Sequence, residues 1–200
     1  RAIISYLTGK RNGENTDRFI QDIRARVIGT PEFSTDGWHP YKSSIRDAFG
    51  NRAPHGTITK TYSVTHLAVK EAARRYSPAE VVAVARDVVS GVPAQISTSY
   101  VERSHLTLRQ SCKRFARLGN GFSKRIEPHC AAVSLYVAYY NLTRTHESLK
   151  CTPAMALGVT DRVWTISDLI EAALATQPIA PVPSAPQRRK RFTVIEGGRK

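Results

Sequence analysis

Cysteine is scarce in this 200-residue chain: Cys112, Cys130 and Cys151 form an odd set with no C-x-x-C pair. That excludes a disulfide-stapled scaffold and fits a reducing compartment. It also argues against zinc, since His129, Cys130, His146 and Cys151 lack the short ligand spacing such sites use. No apolar run approaches the ~20 residues that span a bilayer, and no charged-then-apolar leader points to export. A cytoplasmic location is therefore expected. Acids are in short supply too. The 16 Asp and Glu stand against 30 Lys and Arg, a formal net charge of +14. Such an excess implies a partner of opposite sign, nucleic acid most commonly, with an anionic membrane surface as the competitor.

What is present in quantity is core material. Hydrophobic residues make up 41% of the chain, too many for a disordered polyelectrolyte. The length suggests one domain with appendages, and no repeat recurs at solenoid periods. The last residues, 188–200, carry Arg188, Arg189, Lys190, Arg191, Arg199 and Lys200 against Glu196. Most of the positive charge thus belongs to the part that folds. Pro178, Pro181, Pro183 and Pro186 mark residues 177–187 as a semi-extended spacer, followed by a basic tail expected to be disordered. The resulting division is a folded core over 1–176 and a linker and tail over 177–200.

Along the core, the run Ala2-Ile3-Ile4-Ser5-Tyr6-Leu7 reads as a strand stopped near Gly9. The chain opens one residue ahead of it without an initiating Met, which is read here as a truncation point. A helix capped by Asn15 or Thr16 then runs to about Ile28, with Phe19, Ile20, Ile23 and Val27 as its apolar stripe. Glu32–Thr35 follows as a second strand leading into Asp36-Gly37, completing a strand–helix–strand unit of α/β type. Tyr41–Phe49 reads as a helix and residues 57–64 as a strand. Ser77-Pro78-Ala79-Glu80 is written like a capping box, and Val81–Val89 as a β-branched strand. Later helices are expected at Lys124–Asn141, after Thr152-Pro153, and over Trp164–Ala175.

The stretch from Ser97 to Arg125 is the most unusual. It is proline-free, is rich in helix formers from Tyr100 onward with Ser97, Thr98 or Ser99 as the cap, and places one acid, Glu102, ahead of a basic series. At 3.6 residues per turn Glu102, Leu106, Arg109, Lys113 and Arg117 share roughly one side. A solvated face accounts for such a stripe, as does Glu102 meeting the positive end of the helix dipole. So does a helix lying beside a polyanion with its carboxylate on a metal. Asp36, at a strand end, makes a tight turn with Gly37 or sits where open α/β sheets place ligands. Two hard oxygen ligands of this kind can share Mg²⁺ or Mn²⁺. Trp38 and Tyr41 read as packing residues or as stacking platforms for unpaired bases. His39 reads as polar surface, and Arg109 could instead bridge to Glu102.

One family resemblance gathers these pieces. The motifs are Thr35-Asp36-Gly37, Tyr76–Glu80, Ser97–Arg103, Leu106–Arg109, Arg114-Phe115, Phe122–Lys124, Tyr140-Asn141, Arg144, His146, Leu149, Thr152–Ala156 and Gly158–Trp164. In that order they resemble the transposases of bacterial insertion sequences that carry a ribonuclease-H-like Asp-Asp-Glu (DDE) core. The resemblance covers about residues 1–172. It implies an α/β fold of ribonuclease-H type, a mixed β-sheet flanked by helices, here missing its first strand and followed by a helical C-terminal part. It further implies Asp36 as the second catalytic aspartate and Glu102 as the glutamate, both on Mg²⁺ (or Mn²⁺).

The partners implied are the transposon ends and target DNA, with homo-oligomers assembled on that DNA in a bacterial cytoplasm. Arg103, His105, Arg109, Lys113 and Arg117 would contact DNA. The sequence departs from the pattern twice. No first aspartate precedes Ala2, Asp17 and Asp22 being on a helix, and Ser104-His105 stands where the family often has a polar residue followed by Asn. If the chain as given is whole, it is expected to bind DNA and to cut poorly or not at all. If residues precede it, the resemblance implies hydrolysis of a phosphodiester at each transposon end and attack of the freed 3′-hydroxyl on target DNA, so the enzyme assignment stays open. The other classes are a non-catalytic DNA-binding transposase remnant and another ribonuclease-H-like nuclease or resolvase.

Overall fold

The computed structural model describes residues 1–62, 81–115 and 120–175. The chain divides into two compact units, Arg1–Val163 and Trp164–Lys200.

The first helix, α1 (Gly13–Arg26), is capped by Asn12, whose side-chain oxygen accepts from the Asn15 amide at 3.0 Å. The expected caps Asn15 and Thr16 fall instead inside the first turn, because Asn12 is the residue with extended backbone geometry. Glu14 in the first turn and Arg24 and Arg26 in the last complement the helix dipole. The sequence then gives β1 (Phe33–Asp36), α2 (Pro40–Phe49) and β2 (His55–Tyr62). β1 and β2 pair in parallel, Asp36 opposite Ile58. Parallel neighbours need a crossover, and α2 supplies it. β3 (Val81–Ser90) returns antiparallel on the other side of β2. Among the described residues the result is a mixed three-stranded sheet, ordered β1-β2-β3 and flanked by helices.

The strand expected at Ala2–Leu7 does not form. A β-rich run becomes a strand only with a ladder partner, and this one meets a side chain instead. The Asn141 amide accepts from Ile3 N–H at 3.0 Å and donates to Ile3 C=O at 2.8 Å. The strand–helix–strand unit is consequently β1–α2–β2, one element later than the sequence suggested.

Alternation along β1 and β2 gives the sheet two different faces. Phe33 lies on one, packed with Ile20 of α1, Ile45 of α2 and Ala53 in the buried core. Phe49 meets Phe33 edge-on at 4.9 Å. The opposite face carries Ser34, Asp36, Gly56, Ile58 and Lys60, and the segment leading into α3 (Ser99–Ser111) lies over it. There the Ser34 hydroxyl donates to the Gln95 carbonyl and accepts from the Ser97 amide. Gly56 is required by this approach, since a Cβ would overlap the Ile96 side chain.

The helix expected to carry Glu102, Leu106, Arg109, Lys113 and Arg117 on one side is shorter. α3 stops at Ser111, Cys112 turns extended, and Lys113–Phe115 form one 3₁₀ turn. Buried Cys112 ends the run, its amide still reaching the Leu108 carbonyl at 2.9 Å. α4 (Ile126–Ala138) continues into a π-helical turn, Tyr139–Thr143, which carries Asn141. α5 (Pro153–Ala156) has the expected cap, with the Thr152 hydroxyl accepting from Met155 N–H at 3.2 Å.

In the second unit, α6 (Ile166–Ala175) begins with a capping box. Thr165 accepts from the Asp168 amide, and Asp168 accepts from both the amide and hydroxyl of Thr165. The Ser77–Glu80 capping box, the basic residues of 65–76 and the whole of 177–200 lie outside the described residues.

Candidate functional site

Asp36 ends β1, and its two oxygens divide their work. Oδ1 accepts from the Trp38 amide at 3.1 Å, which fixes the Asp-Gly turn. Oδ2 takes the Arg11 guanidinium at 2.7 Å. Arg11 lies over the Trp38 ring, 4.5 Å from its centre, while the indole N–H donates to Thr16. That face of Trp38 is therefore covered by a cation. Tyr41 packs against the core, and burial, followed by the charge of Asp36, pushes its phenol up.

Glu102 sits in the first turn of α3. Its Oε1 accepts from Lys60 Nζ at 2.6 Å and from the Thr98 hydroxyl at 2.8 Å. These hydrogen bonds, Lys60 first, hold its carboxyl below the ordinary range, and the same contact raises Lys60. Two expectations change here. Thr98 makes no side-chain cap because its hydroxyl is engaged by Glu102. The partner of Glu102 is Lys60 on the sheet, whereas Arg109 borders a cleft.

Register relates the two carboxylates. Asp36 is paired with Ile58, and Lys60 is two residues further along β2 on the same face. Strand spacing and rise put Asp36 and Lys60 about 8 Å apart at Cα. Asp36 and Lys60, the partner of Glu102, thus lie on the same face of the sheet. As donors, two carboxylates suit a magnesium-type ion, which typically takes one or two together with phosphate oxygens. Each already holds a cation of its own, and among the described residues no group of three His, Cys, Asp or Glu converges as a metal site. His129 and His146, half of the suggested zinc set, are in ring contact with Phe115 and Tyr140 instead.

Arg103, His105 and Arg109 are exposed and line a cleft between residues 1–12, α1, α3 and α4. Lys113 has left the helix for the 3₁₀ turn, and Arg117 is outside the described residues. The stripe that was to share one side therefore ends with α3. No family model, curated protein or solved structure matches this chain. No helix among the described residues is long and apolar enough to cross a membrane.

Sequence reasoning gave no role to Arg11 or Lys60, and named Asn141 without foreseeing its contact with Ile3. Lys60 had a signal, since strand alternation puts it on the face of Ile58 and, through the register, of Asp36. Arg11 and Asn141 act across gaps of 25 and 138 residues, which no local pattern reports.

Proposed function

We propose that this chain belongs to the catalytic core of a DDE-type DNA transposase with a ribonuclease-H-like fold. Asp36 and Glu102 would be two of its metal-binding carboxylates, and DNA would lie along α3. The observation that carries this reading is the placement of Asp36 and of Lys60, the partner of Glu102, on one face of a mixed sheet, with Glu102 on a helix bearing Arg103, His105 and Arg109. Asp36 and Glu102 would hold the divalent ion, which when bound activates the attacking oxygen and offsets charge on the leaving one in phosphodiester chemistry. Lys60 and Arg11 hold the two carboxylates in place until a stronger cation competes for them. Arg103 and Arg109 neutralise phosphates, a role independent of sequence.

Anisotropy titration of labelled duplex DNA tests the binding half. The slope of log affinity against log salt should be shallower by about 2 in an Arg103→Gln/Arg109→Gln double variant. No duplex binding, or an unchanged slope, would remove DNA as the partner of α3. A second reading, a DNA-binding protein without catalysis, is favoured by the cation already on each carboxylate. Plasmid nicking in Mg²⁺ separates the two. Nicking that Glu102→Gln abolishes assigns the enzyme, and binding without nicking assigns the module.

A further inference from the structure

The cleft beside α3 is built for more than phosphate. Its volume is about 1060 Å³, at the upper end of the range for small-ligand pockets, about 300–1,000 Å³. Its edge carries Arg103 and Arg109. Its wall carries Tyr136, only 8% exposed, whose hydroxyl is buried with no hydrogen-bond partner among the described residues. His146 and His129 line the same cleft, and His146 Nε2 and His129 Nδ1 are likewise buried and without a hydrogen-bond partner among the described residues. The rings form a contiguous surface, Tyr136 stacking on Tyr140 at 5.9 Å and Tyr140 meeting His146 edge-on at 4.9 Å.

Buried polar groups without partners are costly, so three along one cleft mark where a ligand supplies the bonds. A hydrocarbon ligand would leave all three unpaired. Inorganic phosphate offers nothing to the aromatic surface of Tyr136 and Tyr140. We infer that the cleft takes one nucleotide unit, its phosphate on Arg103 and Arg109 and its base against Tyr140, hydrogen-bonded by Tyr136 and His146. The source is either a free nucleotide or an unpaired nucleotide of a DNA strand. The inference deepens the DNA reading above, with which it shares the arginines, but uses neither carboxylate.

The test is anisotropy titration of the whole chain with a labelled single-stranded oligonucleotide and its duplex, with AMP and inorganic phosphate as competitors. Tyr136→Phe deletes only the unpaired hydroxyl, so folding is preserved and melting temperature holds or rises. Single-strand affinity should drop about three- to tenfold, with duplex affinity unchanged. His146→Gln should weaken the single strand in the same direction. Competition by AMP identifies the free nucleotide as the source. A Tyr136-dependent single-strand affinity that AMP does not touch identifies the polymer. Unchanged single-strand affinity in Tyr136→Phe, or equal competition by inorganic phosphate, overturns the inference and leaves duplex binding standing. If no DNA binds at all, the DNA reading falls, while AMP binding weakened by Tyr136→Phe would still carry the cleft.

Discussion

Glu102 illustrates how much a single partner decides. Its place in the first turn of a basic helix was readable from sequence, but the sheet lysine that holds it was not, because the two are 42 residues apart. Lys60→Gln should raise the Glu102 carboxyl toward its ordinary range, incompletely because the Thr98 hydroxyl remains. Carboxyl-carbon NMR titration of both proteins measures this, and an unmoved Glu102 would show that the contact does not persist in solution. His55 makes a separate statement about pH. It is 1% exposed, its Nε2 is 2.9 Å from the Thr35 hydroxyl, and burial, then Lys42, pushes its imidazole down. The unfolded chain therefore binds this proton more readily than the folded one. The contribution to stability is whole above the ordinary histidine value and is lost as pH falls from there toward the depressed one. Melting temperatures between about pH 7.5 and 5.5 should fall in the wild type and fall less in His55→Gln; equal slopes would contradict the assignment.

At the scale of elements, periodicity served well where burial was local. α1, β1, α2, β2 and β3 all lie within a few residues of their sequence limits; the first four turn side chains into the core, whereas β3 is exposed along most of its length and was legible from its β-branched run. Ala2–Leu7 failed because strand propensity is a statement about neighbours, and its neighbour is Asn141. The basic helix failed at Cys112 because helix formers set only a weak preference that a single buried residue can end. Two substitutions examine the packing. Ile45→Ala, in the centre of the α1–α2–β1 core, should cost about 2–5 kcal/mol in chemical denaturation. Gly56→Val should cost about 1–3 kcal/mol by driving Ile96 off the sheet, and if it is neutral, the segment before α3 does not lie where described. Thr152→Ala removes the α5 cap, worth about 1 kcal/mol.

For the molecule as a whole, charge and a mixed sheet flanked by helices were legible from composition and pattern, and the candidate site only in part. Asp36 and Glu102 were identifiable as residues, whereas the common face of Asp36 and Lys60, the partner of Glu102, required the β1–β2 register. The measurement that bears most directly on this is Fe²⁺-directed cleavage of the polypeptide, with Fe²⁺ standing in for Mg²⁺ and peroxide generating radicals at the bound ion. Backbone cuts should cluster near both residue 36 and residue 102 and should disappear from both places in either Asp36→Asn or Glu102→Gln. Cuts near one position alone, or cuts indifferent to these substitutions, would mean that the two carboxylates do not share an ion.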